Sequence, residues 1–299
     1  MTLVTGGAGF IGHALVRRLI ARGETIRVLD NFDDAYDPAL KVVPEGAECV
    51  VADVRDAAAV RAALADVDRV YHLAARAGVR ESLAAPAFYV DNNVGGTSCL
   101  LEAMRRSGVA RLVLASSSSV YGAREGLFSE GDPVAPASPY AATKLGSEHL
   151  ARAAHVTHGF DVAVCRLFTV YGPRQRPQMG IAKFIGQINA GEPLTLYGDG
   201  RSVRDYTFVD DAVSGLVAAM DAAEGYRVVN IGGGAPVSLA LLARTLAGAA
   251  GVPLTTVSLP DQPGDVPSTR ADITLAREWL GWTPQVGLRE GLGRTLAAM

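Results

Sequence analysis

Cysteine is scarce in this chain, and basic charge accumulates nowhere along it. The three cysteines, Cys49, Cys99 and Cys165, stand far apart without CxxC or other metal-type spacing, which argues against a disulfide framework and a cysteine-based metal site. They are expected to behave as small buried hydrophobes in a reducing cytoplasm. Lys and Arg number 28 against 31 Asp and Glu, a formal net charge of -3 over 299 residues. That balance gives no reason to expect nucleic acid or an anionic membrane surface as a partner. The most apolar late stretch, Leu239 to Ala250, is interrupted by Arg244 and is too short to span a bilayer. Met1 runs straight into Thr2-Leu3-Val4 and glycines, with no basic leader and no long apolar core. No secretory signal is expected, and the sequence reads as cytoplasmic.

What the chain does have is alternation. Short apolar runs at Leu3–Thr5, Ile26–Leu29, Cys49–Val51, Val70–Leu73 and Leu112–Leu114 read as strands. Between and after them, Ile11–Arg22, Ala57–Ala65, Ala87–Ser107 and Tyr140–His158 read as helices. Runs without polar alternation predict strands buried on both faces, hence a doubly wound α/β domain on a parallel sheet. Tyr206–Val209 reads as one further strand. The predicted division is a dinucleotide-binding domain at 1–167 plus about 205–234, and a smaller mixed α/β domain at about 168–204 and 235–299.

Thr5-Gly-Gly-Ala-Gly-Phe-Ile-Gly12 lies between the first strand and the first helix. Gly7, Gly9 and Gly12 fit one phosphate-loop spacing; Gly6, Gly9 and Gly12 fit a related one. Either lets the backbone approach a pyrophosphate at the N-terminus of a helix, with Phe10 and Ile11 opening that helix. Asp30 ends the second strand, where a carboxylate accepts the adenosine ribose hydroxyls and repels a 2′-phosphate. NAD is therefore expected over NADP, with Asn31 beside the ribose and Asp53-Val54 flanking the adenine. Leu73-Ala74-Ala75 after the fourth strand would let a cofactor lie close. Tyr140 and Lys144, four apart on a helix, share a face. A nearby ammonium would favour the phenolate and make Tyr140 a usable base. His149, His155 and His158 lack metal-type partners, so no metal is expected.

TGGAGFIG, Asp30, His72-Leu73-Ala74-Ala75, "ASSSSVYG", Tyr140-xxx-Lys144 and "RDYTFVDD" occur in this order from end to end. The whole chain resembles the extended short-chain dehydrogenase/reductase family, the nucleotide-sugar epimerases and dehydratases. Asp30 to Lys41, Ala77-Gly-Val-Arg80, Phe168 to Pro173 and Gln262 to Val266 resemble the UDP-glucuronate 4-epimerases among them.

The resemblance implies NAD, a UDP-sugar substrate, a homodimer through the helices Ala87–Ser107 and Tyr140–His158, and Ser117 as catalytic partner of Tyr140 and Lys144. It implies that Arg176 faces a sugar carboxylate beside Ser118, Ser119 and Thr169. Arg204 would meet the diphosphate and Asp265 the uridine ribose, with Arg80, Arg174 and Arg201 as further candidates for the anionic end. Ser118 and Ser119 stand where 4,6-dehydratases carry an Asp-Glu pair, so the expected reaction is C4 epimerisation rather than loss of water. UDP-glucose 4-epimerase, UDP-glucuronate decarboxylase and a non-catalytic NAD-binding sensor stay open as alternatives.

Overall fold

The computed structural model describes residues 1–261 and 266–299. Seven parallel strands form its central sheet: β1 (Thr2–Thr5), β2 (Ile26–Asp30), β3 (Glu48–Val51), β4 (Arg69–His72), β5 (Arg111–Ser117), β6 (Asp161–Leu167) and β7 (Tyr226–Ile231). They lie in the order β7-β6-β5-β4-β1-β2-β3. The strand order reverses between β1 and β4, and in doubly wound sheets a ligand crevice opens beyond the strand ends at such a point. Helices cover both faces, so β1 and β2 are buried along their whole length.

Three features depart from the sequence reading. β3 sits at the edge with a single neighbour, and most of it is exposed. Cys49 is consequently exposed rather than buried, while Cys165 in β6 is fully buried. The strand read at 206–209 is Tyr206–Phe208, which pairs with Thr169–Tyr171 outside the central sheet; the sheet's last strand is β7. Ala87–Ser107 is not one regular helix. Pro86–Tyr89 passes through a π-helical turn, Val90–Gly95, into Gly96–Ser107. There the Asn93 carbonyl accepts from the hydroxyls of Thr97 at 2.6 Å and Ser147 at 3.3 Å. Side-chain donors inserted into a helical ladder are a known cause of such bulges.

The helix Pro139–His158 is marked by its sequence at both ends. Ser138 caps it by accepting from the Ala141 N–H at 3.1 Å, Pro139 supplies the first turn, and Gly159 closes it at φ +70°. Tyr140, Lys144 and Glu148 recur every fourth residue on one side. The Glu148 carboxylate is buried and paired with Arg166 of β6, Nε to Oε1 at 3.0 Å and Nη2 to Oε2 at 2.8 Å. Ser116 of β5 donates to the same carboxylate. No helix among the described residues is long and apolar enough to cross a membrane.

Removing one member of a buried ion pair strands the other charge away from water. Arg166→Met is expected to cost about 3–5 kcal/mol of unfolding free energy, read by urea denaturation. A loss below about 1 kcal/mol, the range of exposed pairs, would show that the pair carries little of the fold.

Candidate active site

The turn after β1 is built around three glycines, and two of them, Gly6 and Gly12, leave no room for a side chain. Gly6 has φ +72°, and a Cβ there would lie 2.7 Å from the Ala74 nitrogen. A Cβ on Gly12 would collide with the Gly6 carbonyl oxygen. Of the two spacings open in the sequence, Gly6, Gly9 and Gly12 border the site, whereas Gly7 packs on Val28. A cavity of about 440 Å³ runs from this loop to Tyr140. Phe10, Ile11, Asn31 and Val54 border it, as do Leu73, Ala74 and Ala75 after β4.

Asp30 is buried at the end of β2 and borders the same cavity. Its carboxylate accepts from the Ala8 N–H at 3.0 Å and the Phe32 N–H at 2.9 Å. One acceptor position or more remains on each oxygen for ligand hydroxyls. Asp53 departs from expectation. It lies off the cavity wall, its carboxylate engaged by Arg55 Nη2 at 2.7 Å and by the Asn31 amide at 3.0 Å. The Arg55 hydrogen bond holds it down at about 2. A backbone cradle that any Cβ would fill, and a strand-end carboxylate with free acceptor positions, fit a dinucleotide.

The four serines divide at the far end. All four border the cavity with Tyr140 and Lys144, but the Ser116 hydroxyl is given to Glu148. Ser117 Oγ accepts from the Ser119 N–H at 3.2 Å and the Ser119 hydroxyl at 2.9 Å, and lies near enough to the Tyr140 phenol to favour its phenolate. Burial pushes Tyr140 above its ordinary value; the Ser117 hydroxyl and the Arg176 charge pull the other way. Burial also pushes Lys144 down to about 8, against the nearby Glu148 charge. Within the protein, then, burial opposes the phenolate that the Tyr140–Lys144 spacing suggests.

Thr169, Arg176 and Arg204 complete the wall. Arg176 Nη1 donates to the Ala77 carbonyl at 2.9 Å, which fixes a guanidinium whose charge reaches the Tyr140 phenol. Arg204 donates to the Val203 carbonyl. Asp205 is occupied instead by the N–H groups of Gly233, Gly234 and Ala271. An adjoining cleft of about 1000 Å³ shares Thr169 and Arg204 with the cavity. Arg80 borders that cleft, its guanidinium 5.1 Å from the Tyr197 ring centre. Arg174 donates to the Leu40 carbonyl and Arg201 pairs with Asp199. Asp265 lies outside the described residues.

Sequence reasoning missed Tyr36, Lys41 and Gln175. Tyr36 and Lys41 border the cavity from the loop after β2, the ammonium 4.9 Å from the ring centre. Both fall in the Asp30 to Lys41 stretch that carries the resemblance, but nothing in their spacing gives them a site role. Gln175 is buried beside the adjoining cleft, and neither its amide oxygen nor its nitrogen has a partner in the protein. An orphaned buried amide costs stability unless a ligand or water satisfies it.

A glycine cradle under a helix N-terminus at the switch point of a parallel sheet places the molecule in the Rossmann class of dinucleotide-binding proteins. Within that class the chain belongs to the NAD dependent epimerase/dehydratase family, whose model matches residues 2–232. It is 41% identical to a UDP-glucuronate 4-epimerase of Thermodesulfobacterium geofontis, over 98% of this chain and 94% of that protein. A UDP-glucose 4-epimerase of Mycolicibacterium smegmatis is 40% identical, over 99% and 97% respectively. The UDP-glucuronic acid 4-epimerase of Bacillus cereus, solved with UDP-glucuronic acid and NAD, superposes with a TM-score of 0.94. It is 36% identical, covering 99% of this chain and 98% of that one.

The Lys144 ammonium gives the site a pH signature. Its value falls from 10.5 to about 8 on folding, so between those limits the unfolded chain binds more protons and stability rises with pH. Urea unfolding in the absence of ligand is expected to show wild type gaining on Lys144→Met between about pH 8 and 10.5. Parallel profiles would show that burial does not depress the lysine.

Proposed function

We propose that this chain is an NAD-dependent 4-epimerase of a UDP-hexose, converting UDP-glucuronate to UDP-galacturonate through a 4-keto sugar. The observation that carries the choice of substrate is Arg176. Its fixed guanidinium shares a cavity wall with Ser117 and Tyr140 and acts on the phenol. A planar two-pronged cation suits a carboxylate far better than a neutral hydroxymethyl group. The identities to the glucuronate and glucose epimerases are nearly equal, and this local feature supports the glucuronate.

In this reading Gly6, Gly9, Gly12 and the start of the first helix hold the pyrophosphate, and Asp30 holds the adenosine ribose. Residues 1–167 with about 205–234 form the cofactor-binding part, and about 168–204 with 235–299 the sugar-nucleotide part. When bound, NAD supplies the acceptor for the C4 hydride and returns it to the opposite face of the sugar. Tyr140 takes the 4-hydroxyl proton and later gives it back, with Ser117 bridging phenol and hydroxyl. Lys144 presents its ammonium to the cofactor ribose and favours the phenolate together with the nicotinamide charge. Arg204 and Asp265 hold the nucleotide end while the sugar turns about its diphosphate linkage. Ser118, Ser119, Thr169 and Arg176 keep the carboxylate misaligned for cleavage from the β-keto acid. With neutral serines at 118 and 119, the site lacks the acid and base that elimination of water needs. The enzyme works in the cytoplasm as a homodimer through the helices around 87–107 and 140–158.

Arg176→Ala removes a charge-assisted contact worth about 1.5–3 kcal/mol. The expected loss in kcat/KM for UDP-glucuronate is about 10- to 150-fold, with UDP-glucose nearly unaffected and some UDP-pentose appearing. Equal losses for both sugars would place Arg176 on the diphosphate and sink the carboxylate assignment.

A further inference from the structure

The loop after β2, residues 32–42, is rooted in the glycine-rich turn and tied at two further points to a different wall of the cavity. At its root the Phe32 N–H donates to Asp30 at 2.9 Å, and the Val42 N–H donates to the Ala8 carbonyl at 3.2 Å. His13 Nδ1 lies 2.7 Å from the Val42 carbonyl and must carry the proton there. Within the loop, Lys41 bonds the Asp33 carboxylate, and Arg76 Nη1 reaches the same carboxylate at 2.9 Å. Tyr36 and Lys41 thereby face the cavity beside Gly9.

The other two ties come from the loop after Thr169–Tyr171, the segment that also carries Arg176. Arg174 Nη2 donates to the Leu40 carbonyl at 2.7 Å, and Gln178 Nε2 donates to the Ala35 carbonyl at 3.0 Å. Among the described residues only three non-glycines have positive φ, and two of them are Phe32 at +50° and Arg174 at +65°. Both backbone positions are costly for side-chain-bearing residues, and they stand at the hinge of the loop and at its fastening.

We propose that residues 32–42 are a strap retaining the dinucleotide, and that Arg174 and Gln178 are positioning residues that latch it. This rests on the cofactor reading above and extends it. An epimerase with no net redox change needs its cofactor through both halves of the cycle. Loss of the dinucleotide after C4 has been oxidised would leave a 4-keto sugar that the protein cannot reduce. The roots of the strap lie beside the glycine-rich turn, so opening it requires breaking the two latch bonds and the Arg76–Asp33 pair and moving the loop about Phe32. The latch residues themselves do no chemistry; they set how long the cofactor stays.

The test is cofactor exchange in resting holoenzyme without any sugar nucleotide. Protein carrying unlabelled NAD is mixed with an excess of isotopically labelled NAD, and the bound nucleotide is read by mass spectrometry after denaturation. Arg174→Gly, which also relieves the left-handed backbone, combined with Gln178→Ala should exchange at least about 10-fold faster than wild type. Gln178→Ala alone, at an exposed side chain, should give about a fivefold increase and guards against misfolding of the pair. Arg22→Ala breaks a surface ion pair with Asp221 remote from the strap and should leave exchange unchanged. Exchange within twofold of wild type in both latch variants, or equal acceleration in the Arg22 control, would overturn the latch. A folded protein that neither carries nor takes up NAD would overturn the cofactor reading together with it, whereas failure of the latch alone leaves that reading standing.

Discussion

The buried Glu148 carboxylate, gripped by the Arg166 guanidinium of β6 and the Ser116 hydroxyl of β5, ties the helix Pro139–His158 to the middle of the sheet. Everything that reacts depends on that attachment. Lys144 and Tyr140 sit one and two turns before Glu148 on the same helix, so a fixed Glu148 fixes them against Ser117 at the end of β5. A second attachment comes from the π-helical turn, where the Asn93 amide donates to Thr143 at 3.0 Å and the Asn93 carbonyl receives Ser147. Anchored on both sides, the helix can present a phenol and an ammonium to the cavity with little freedom to move.

That rigidity places two titratable groups where burial works against their charged forms. The phenol is pushed up and the ammonium down to about 8. A base used near neutral pH must have its phenolate favoured by other charges. Arg176 supplies one from the protein, and a positively charged nicotinamide is the other that this reading requires. Coupling proton removal to the presence of cofactor would suit a reaction in which both are needed at once.

The parts of this architecture that rest on local chemistry were legible in the sequence. Gly6, Gly9 and Gly12 announce a tight turn, closed to side chains at Gly6 and Gly12, and Ser138-Pro139 announces the start of the helix that carries Tyr140. Long-range relations were not legible. Nothing near Ser116 says that its hydroxyl, alone of the four, is taken by a helix carboxylate, because its partner Glu148 lies 32 residues on. Asp53 reads as an adenine neighbour in the sequence, but its engagement by Arg55 and its place off the cavity wall depend on the fold. Cys49 looked buried because its strand is apolar, and only the sheet order reveals an edge. Tyr36 and the latch residues 174 and 178 depend on two loops meeting across a cavity, which no spacing encodes.

The central claim is that a retained cofactor inverts C4 of UDP-glucuronate without net redox change and without exchange of the C4 hydrogen with solvent. Proton NMR of the purified protein with UDP-glucuronate in D2O, with no nucleotide added, tests it directly. The account predicts UDP-galacturonate with hydrogen, not deuterium, at C4 and at C5. Deuterium at either carbon, a UDP-pentose as the main product, or no conversion unless NAD is supplied in stoichiometric amounts would contradict it.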